Sequence, residues 1–202
     1  RNYQVTPSKL KQAVTGINGR DDIDFIAFSG DVTEKASEAR YEAFRAIMQD
    51  ADKPWLLVPG NHDYGLERHM PADAARGGLD FAVTVRGVDI LGFQTFNPPG
   101  MSHRVTRETL AKLARRFSAA PRRPALLLCH SPLITAHGGY GSWETPANAA
   151  QVWDVVRRGG NTLAVVCGHD HGLWFGETNG ILVACGPGFC ETNDNGRFAF
   201  LR

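Results

Sequence analysis

Four short apolar runs punctuate the chain, and each stops at a cluster of polar residues. IDFIAF (Ile23 to Phe28), WLLV (Trp55 to Val58), ALLLC (Ala125 to Cys129) and TLAVVC (Thr162 to Cys167) are apolar enough to predict strands covered on both faces. Between them the period becomes helical. Leu10, Ala13, Val14 and Ile17 follow Thr6-Pro7, a cap and a first-turn proline. Tyr41, Phe44, Ile47 and Met48 share one face of a second helix, from about Glu34 to Gln49. Thr106 caps a third helix carrying Leu110, Leu113, Ala114 and Phe117, and Pro146 opens a fourth with Val152, Val155 and Val156. Two β-rich stretches predict hairpins, Phe81 to Phe93 around Arg86-Gly87 and LWFGE/ILVAC around Asn179-Gly180. GRFAFL closes the chain as a further β-rich run. Helices alternating with buried strands predict an α/β fold, with mixed sheets between helices.

Composition narrows the classes. The 202 residues suit one domain, 1–202, and 43% apolar against 21% charged residues excludes wholesale disorder. No apolar run approaches the roughly 18 residues of a membrane span. Net charge is +1, from 22 basic and 21 acidic residues, so no global field calls for nucleic acid or anionic lipid. Arg115-Arg116, Arg122-Arg123 and Arg157-Arg158 crowd helix C-termini, where cations suit the helix dipole. Four cysteines are too few for a disulfide scaffold, and the compartment rule favours reduced thiols in the cytoplasm. Cys129 and Cys167 read as small buried hydrophobes, whereas spacing alone does not decide whether Cys185 and Cys190 pair.

The chemistry lies where the buried strands end. They run into Ser29-Gly30-Asp31, Pro59-Gly60-Asn61-His62-Asp63, His130-Ser131-Pro132 and Gly168-His169-Asp170-His171. Ligands of layered α/β folds bind beyond the carboxyl ends of strands, so four distant segments can bring Asp31, Asn61, His130, His169 and His171 to one rim. Carboxylate, amide oxygen and imidazole make a hard-to-borderline metal site. Asp31, the sole carboxylate of the five, is the natural bridge between two ions. Plainer roles compete: Asp31 as a cap for the helix near Glu34, Asn61 as a turn residue, Asp170 as a turn former. His103-Arg104 lies at a strand end from which it could reach a phosphate, although a loop histidine is the simpler reading.

Gly30-Asp31, Gly60-Asn61-His62-Asp63, His130 and Gly168-His169-Asp170-His171, in that order, resemble the motifs of the calcineurin-like metallophosphoesterases, most closely the compact bacterial cyclic-nucleotide phosphodiesterase branch. The resemblance implies an αββα four-layer sandwich with two mixed β-sheets. It implies two divalent metal ions (Mn, Fe or Zn), one held by Asp31, Asn61, His130 and His169, the other by Asp31 and His171. It further implies hydrolysis of small phosphate esters, phosphodiesters such as cyclic nucleotides foremost, by a metal-bound hydroxide. His62 would be the general acid and Asp63 would orient it through a hydrogen bond. The family's opening Asp-x-His motif does not occur in the chain, which predicts roughly 20–30 further residues upstream that include a strand ending in Asp-x-His. The competing reading is a non-catalytic protein-interaction module with a degenerate metal site on the same fold.

Overall fold

Period and burial agree in the helices the sequence predicts, save that in the third Ala114 is exposed and Thr109 is buried in its place. The computed structural model describes residues 7–66, 81–97, 102–136, 138–139 and 143–188. Its elements are α1 (Pro7–Ile17), β1 (Ile26–Phe28), α2 (Glu38–Met48), β2 (Trp55–Leu57), β3 (Phe81–Val85), β4 (Val88–Phe93), β5 (Phe96–Asn97) and β6 (Ser102–His103). There follow α3 (Arg107–Ala119), β7 (Ala125–Cys129), α4 (Ala149–Gly159), β8 (Thr162–Cys167), β9 (Trp174–Thr178) and β10 (Ile181–Cys185). Thr6, His69, His137, Tyr140, Cys190 and the GRFAFL run lie outside the described residues.

Three apolar contacts stack these elements as helix, sheet, sheet, helix. Leu10 and Val14 of α1 and Tyr41, Phe44 and Met48 of α2 pack on Ile26, Phe28, Trp55 and Leu57 of the parallel pair β1–β2. The other side of that pair, with Phe25, Leu56 and Val58, meets Ile90, Leu128 and Val166 of a larger sheet. That sheet turns Phe93, Leu127, Val165 and Val183 toward Leu113 and Phe117 of α3 and Val152, Trp153 and Val156 of α4. Its six strands run β3-β4-β7-β8-β10-β9. The inner four are parallel, and β3 and β9 are added antiparallel at the edges through the two expected hairpins. Arg86-Gly87 and Asn179-Gly180 both take positive φ, as a tight two-residue turn between twisted strands requires. Among the described residues no helix is long and apolar enough to cross a membrane.

Local chemistry shifts two sequence-based boundaries and one side-chain role. The second helix starts at Glu38 rather than near Glu34, capped by Ser37, because Lys35 and Ala36 adopt left-handed backbone and the Ala36 N–H donates to the His62 carbonyl at 2.7 Å. Asp31 is therefore not a helix cap. The fourth helix begins at Ala149 rather than Pro146. Asn148 gives its side chain to Val105 instead, accepting from its N–H at 3.0 Å and donating to its carbonyl at 2.9 Å. Arg116 does more than suit a helix dipole: it pairs at 2.7 Å with Asp89, a carboxylate only 2% exposed that also takes Arg123 at 3.3 Å and the Thr84 hydroxyl at 2.7 Å. Burial opposes charge on Asp89, but these donors hold its carboxyl below the usual range.

Candidate metal centre

The segments after β1, β2, β7 and β8 meet at one end of the sheets. Two glycines make the meeting possible. A Cβ on Gly30, whose φ is +99°, would lie 2.5 Å from His130 Nδ1 and 2.7 Å from the Gly60 nitrogen. One on Gly60 would lie 2.1 Å from Asp31 Oδ1. Bare backbone thus lets the first two loops touch, and the side chains beside them converge.

His130 is the hub. Its ring is buried, and Nδ1 stands 2.7 Å from the Ser29 carbonyl, which can only accept. The Nδ1 proton is therefore committed there, and the Nε2 lone pair is left facing the site. Around Nε2 stand Asn61 Oδ1 at 3.0 Å, His169 Nδ1 at 3.1 Å and Asp31 Oδ2 at 3.4 Å. An amide oxygen, an imidazole nitrogen and a carboxylate oxygen gathered round that lone pair suit a shared cation, whether a proton or a metal ion. Ligand bonds of about 2.0–2.2 Å put neighbouring donors roughly 3 Å apart, so this spacing suits an ion's ligands. His169 adds an independent sign of fit, since its Nε2 is buried with no hydrogen-bond partner among the described residues. In the same residues no three His, Cys, Asp or Glu side chains surround a common point as a formed cage; the donors touch one another directly.

The electrostatics follow from these contacts. Burial disfavours the charged form of His130, yet the Asp31 carboxylate and the Ser29 carbonyl raise its pKa above the usual imidazole value. Burial works against Asp31 as well, but His130 and the His62 N–H, 2.9 Å from Oδ1, hold its carboxyl low. His169 is lowered to about 4, first by burial and then by repulsion from His130 and His103. Asp31, His169 and His171 all adopt left-handed backbone, with φ of 56°, 72° and 61°. Non-glycine residues take that conformation where surrounding contacts enforce it, and such residues gather at functional sites. For the last loop the enforcing contacts centre on Asp170, which accepts from the Gly172 N–H at 2.8 Å, the Trp174 indole and the Cys185 thiol at 2.9 Å. The turn-former reading of Asp170 fits these contacts.

The structure thus brings Asp31, Asn61, His130 and His169 together, with His171 half-buried on the same turn as His169. The His62 ring is exposed, while its backbone is tied to Asp31 and Ala36. One expectation needs correction: Asp63 does not hydrogen-bond the His62 ring. It is fully buried, and it accepts from the N–H groups of Val32 (3.3 Å), Thr33 (2.8 Å) and Gly60 (3.0 Å) and from the Thr33 hydroxyl (3.0 Å). With both oxygens occupied by backbone donors, Asp63 staples the Asp31 loop to the Asn61–Asp63 turn and positions His62 through the main chain. His103, which the sequence reading ranked behind a plain loop histidine, also stands beside the site. His103 stacks flat on Phe96 at 4.1 Å, its Nε2 is 2.9 Å from Ser131 Oγ, and its ring lies 5.7 Å from His169. The signal available was the strand end that carries His103.

Imidazole, amide and carboxylate donors gathered beyond strand ends of a four-layer α/β sandwich are the donor types that suit a divalent metal ion. Residues 5–173 match the calcineurin-like phosphoesterase family, and the chain belongs to it. Membership implies divalent metal ions at such a site. A 3′,5′-cyclic adenosine monophosphate phosphodiesterase, CpdA, of Vibrio vulnificus is 24% identical over 170 residues, 84% of this chain and 62% of that relative. A glycerophosphodiester phosphodiesterase, GpdQ, of Enterobacter lignolyticus is 24% identical over 168 residues, 79% of this chain and 60% of that relative. The chain thus spans about three fifths of the length of these relatives. A dimetal phosphatase from Danio rerio superposes with a TM-score of 0.74 at 14% identity, covering 92% of this chain and 79% of that one, which shows a shared fold.

Proposed function

We propose that this domain hydrolyses phosphodiesters with two divalent ions, Mn, Fe or Zn, cyclic nucleotides being the favoured substrates. The single observation that carries the reading is the convergence of Asp31, Asn61 and His169 on the Nε2 lone pair of His130, from four separate strand ends. In this reading Asp31, Asn61, His130 and His169 hold one ion, and Asp31 and His171 take part in holding the other. Bound ions would supply Lewis-acid stabilisation of the charge that builds on phosphoryl oxygens, together with an activated water.

The chain's own residues do the rest. His62 projects from the turn whose N–H groups are fixed on Asp31 and Asp63, so its ring keeps a set place relative to the donor cluster. From there it donates a proton to the leaving oxygen, a role that suits an imidazole near neutral pH. Asp63 holds that turn shut. The relatives' names favour phosphodiesters over monoesters, since one refers to a cyclic nucleotide and the other to a glycerophosphodiester.

The test combines metal content with turnover. Purified with manganese, the chain is expected to carry two ions and to hydrolyse 3′,5′-cyclic AMP. His62→Ala is expected to keep both ions and lose roughly 100-fold or more in kcat, the usual worth of a general acid. Metal-loaded wild type with no turnover, or His62→Ala with wild-type kcat, would refute the proposal and favour an interaction module.

A further inference from the structure

Trp143 is the most exposed large apolar side chain among the described residues, 72% accessible, and it stands beside this site. Its ring centroid is 5.6 Å from that of His169 with planes at 64°, and most of the indole stays open to solvent. A lone exposed apolar side chain needs no explanation by itself; what singles this one out is its place against a residue of the donor cluster.

The backbone beneath it is rooted. The His103 ring faces the Trp143 main chain and is itself stacked on Phe96 with planes 5° apart. Its Nε2 meets Ser131 Oγ at 2.9 Å. Ser131 is fully buried; its N–H donates to Thr95 Oγ1 at 3.1 Å, and the Thr95 hydroxyl donates back to Ser131 Oγ at 3.1 Å. Thr95 and Ser131 follow the ends of β4 and β7, two adjacent central strands. Two buried hydroxyls and one imidazole thus stand under the main chain of a tryptophan on the lip of the donor cluster. Phe96 and His103 cover one face of each other, and among the described residues at the donor cluster Trp143 is the exposed ring open to a planar group.

We infer that Trp143 is the stacking platform for a heteroaromatic base carried by the substrate, and that His103, Ser131 and Thr95 are positioning residues for it. The inference rests on the phosphodiesterase reading and gives it a substrate class: diesters with a nucleobase within reach of the phosphate. Stacking on an aromatic tolerates any base, because every base has a π face, so little discrimination between adenine and guanine is expected.

The test uses binding rather than turnover. AMP and ribose 5-phosphate share a phosphate and a sugar and differ in the base. Calorimetric titration of the manganese-loaded chain is expected to show AMP bound roughly 5- to 100-fold more tightly, the usual worth of one base stacked on one aromatic. Trp143→Ala is expected to bring that ratio below about threefold, and Trp143→Phe to retain part of it. Equal binding of the two ligands by wild type, binding of neither, or a Trp143→Ala variant that weakens both by the same factor would overturn the inference. In the last case the indole only covers His169. A chain that prefers AMP yet hydrolyses no phosphodiester would sink the catalytic proposal and leave the platform standing.

Discussion

Gly60→Ala puts the packing of the donor cluster to a direct test. Gly60 has φ −100° and ψ −177°, a conformation open to any L-residue, so alanine meets no backbone strain there. The whole effect comes from the added methyl group, 2.1 Å from Asp31 Oδ1, 2.6 Å from the Asp31 nitrogen and 2.7 Å from Asp31 Cγ. Carbon contacts settle near about 3.5 Å, so the carboxylate must withdraw by roughly 1 Å or more. It cannot do so and keep the His62 N–H at 2.9 Å and His130 Nε2 at 3.4 Å. Loss of a hydrogen bond to a charged group costs about 1.5–3 kcal/mol and overpacking about 1–3 kcal/mol. The reduced entropy of the unfolded chain returns about 0.4–1 kcal/mol. A net loss of about 3 kcal/mol in urea unfolding is expected, with manganese affinity down at least tenfold by calorimetry. Gly16→Ala is the matched control, because it sits in α1 with nothing within 4 Å of the new Cβ and should be neutral or slightly stabilising. A Gly60→Ala protein that unfolds within about 0.5 kcal/mol of wild type and binds manganese equally would refute the argument.

Two further outcomes follow from buried carboxylates. Asp63→Asn keeps the shape but gives an NH2 to donors that all need acceptors, so a loss of about 2–3 kcal/mol is expected in urea unfolding, with lower kcat and unchanged substrate KM if the residue only positions the turn. Asp89→Asn should cost about 2 kcal/mol at pH 7 by loosening Arg116 and Arg123. Because the folded pKa of Asp89 is depressed, its contribution is complete above the unfolded value of about 3.9 and disappears as pH falls through the folded one. Wild type and variant should therefore converge in acid, and a gap that stayed constant from pH 7 to pH 2 would count against this assignment.

The donor cluster was legible in the sequence because its residues follow the four buried strands at once, and strand ends are where a layered fold must place a site. Helix α3 was legible down to its cap, since Thr106 and the apolar stripe to Phe117 are local features. What escaped was chemistry carried across the chain. The family resemblance implied a side-chain pair between His62 and Asp63, yet the partners of Asp63 include Val32 and Thr33 from another loop. The start of α2 moved because Ala36 is claimed by His62, and Asn148 left its own helix for Val105. Trp143 gave no periodic signal at all; its place depends on His103, Ser131 and Thr95, from three separate strand ends.

The left-handed backbone at Asp31, His169 and His171 sets stability against identity at single positions. Each side chain there forfeits on the order of 1 kcal/mol that glycine would recover. At Asp31 the hydrogen bond to the His62 N–H outweighs that gain, so a search for more stable variants, blind to activity, should drift toward glycine at residues 169 and 171. It would strip two imidazoles from the rim while leaving the sandwich intact. Thermal stability alone is thus a misleading guide to improving this domain, and the positions where it misleads most are the ones that carry the chemistry.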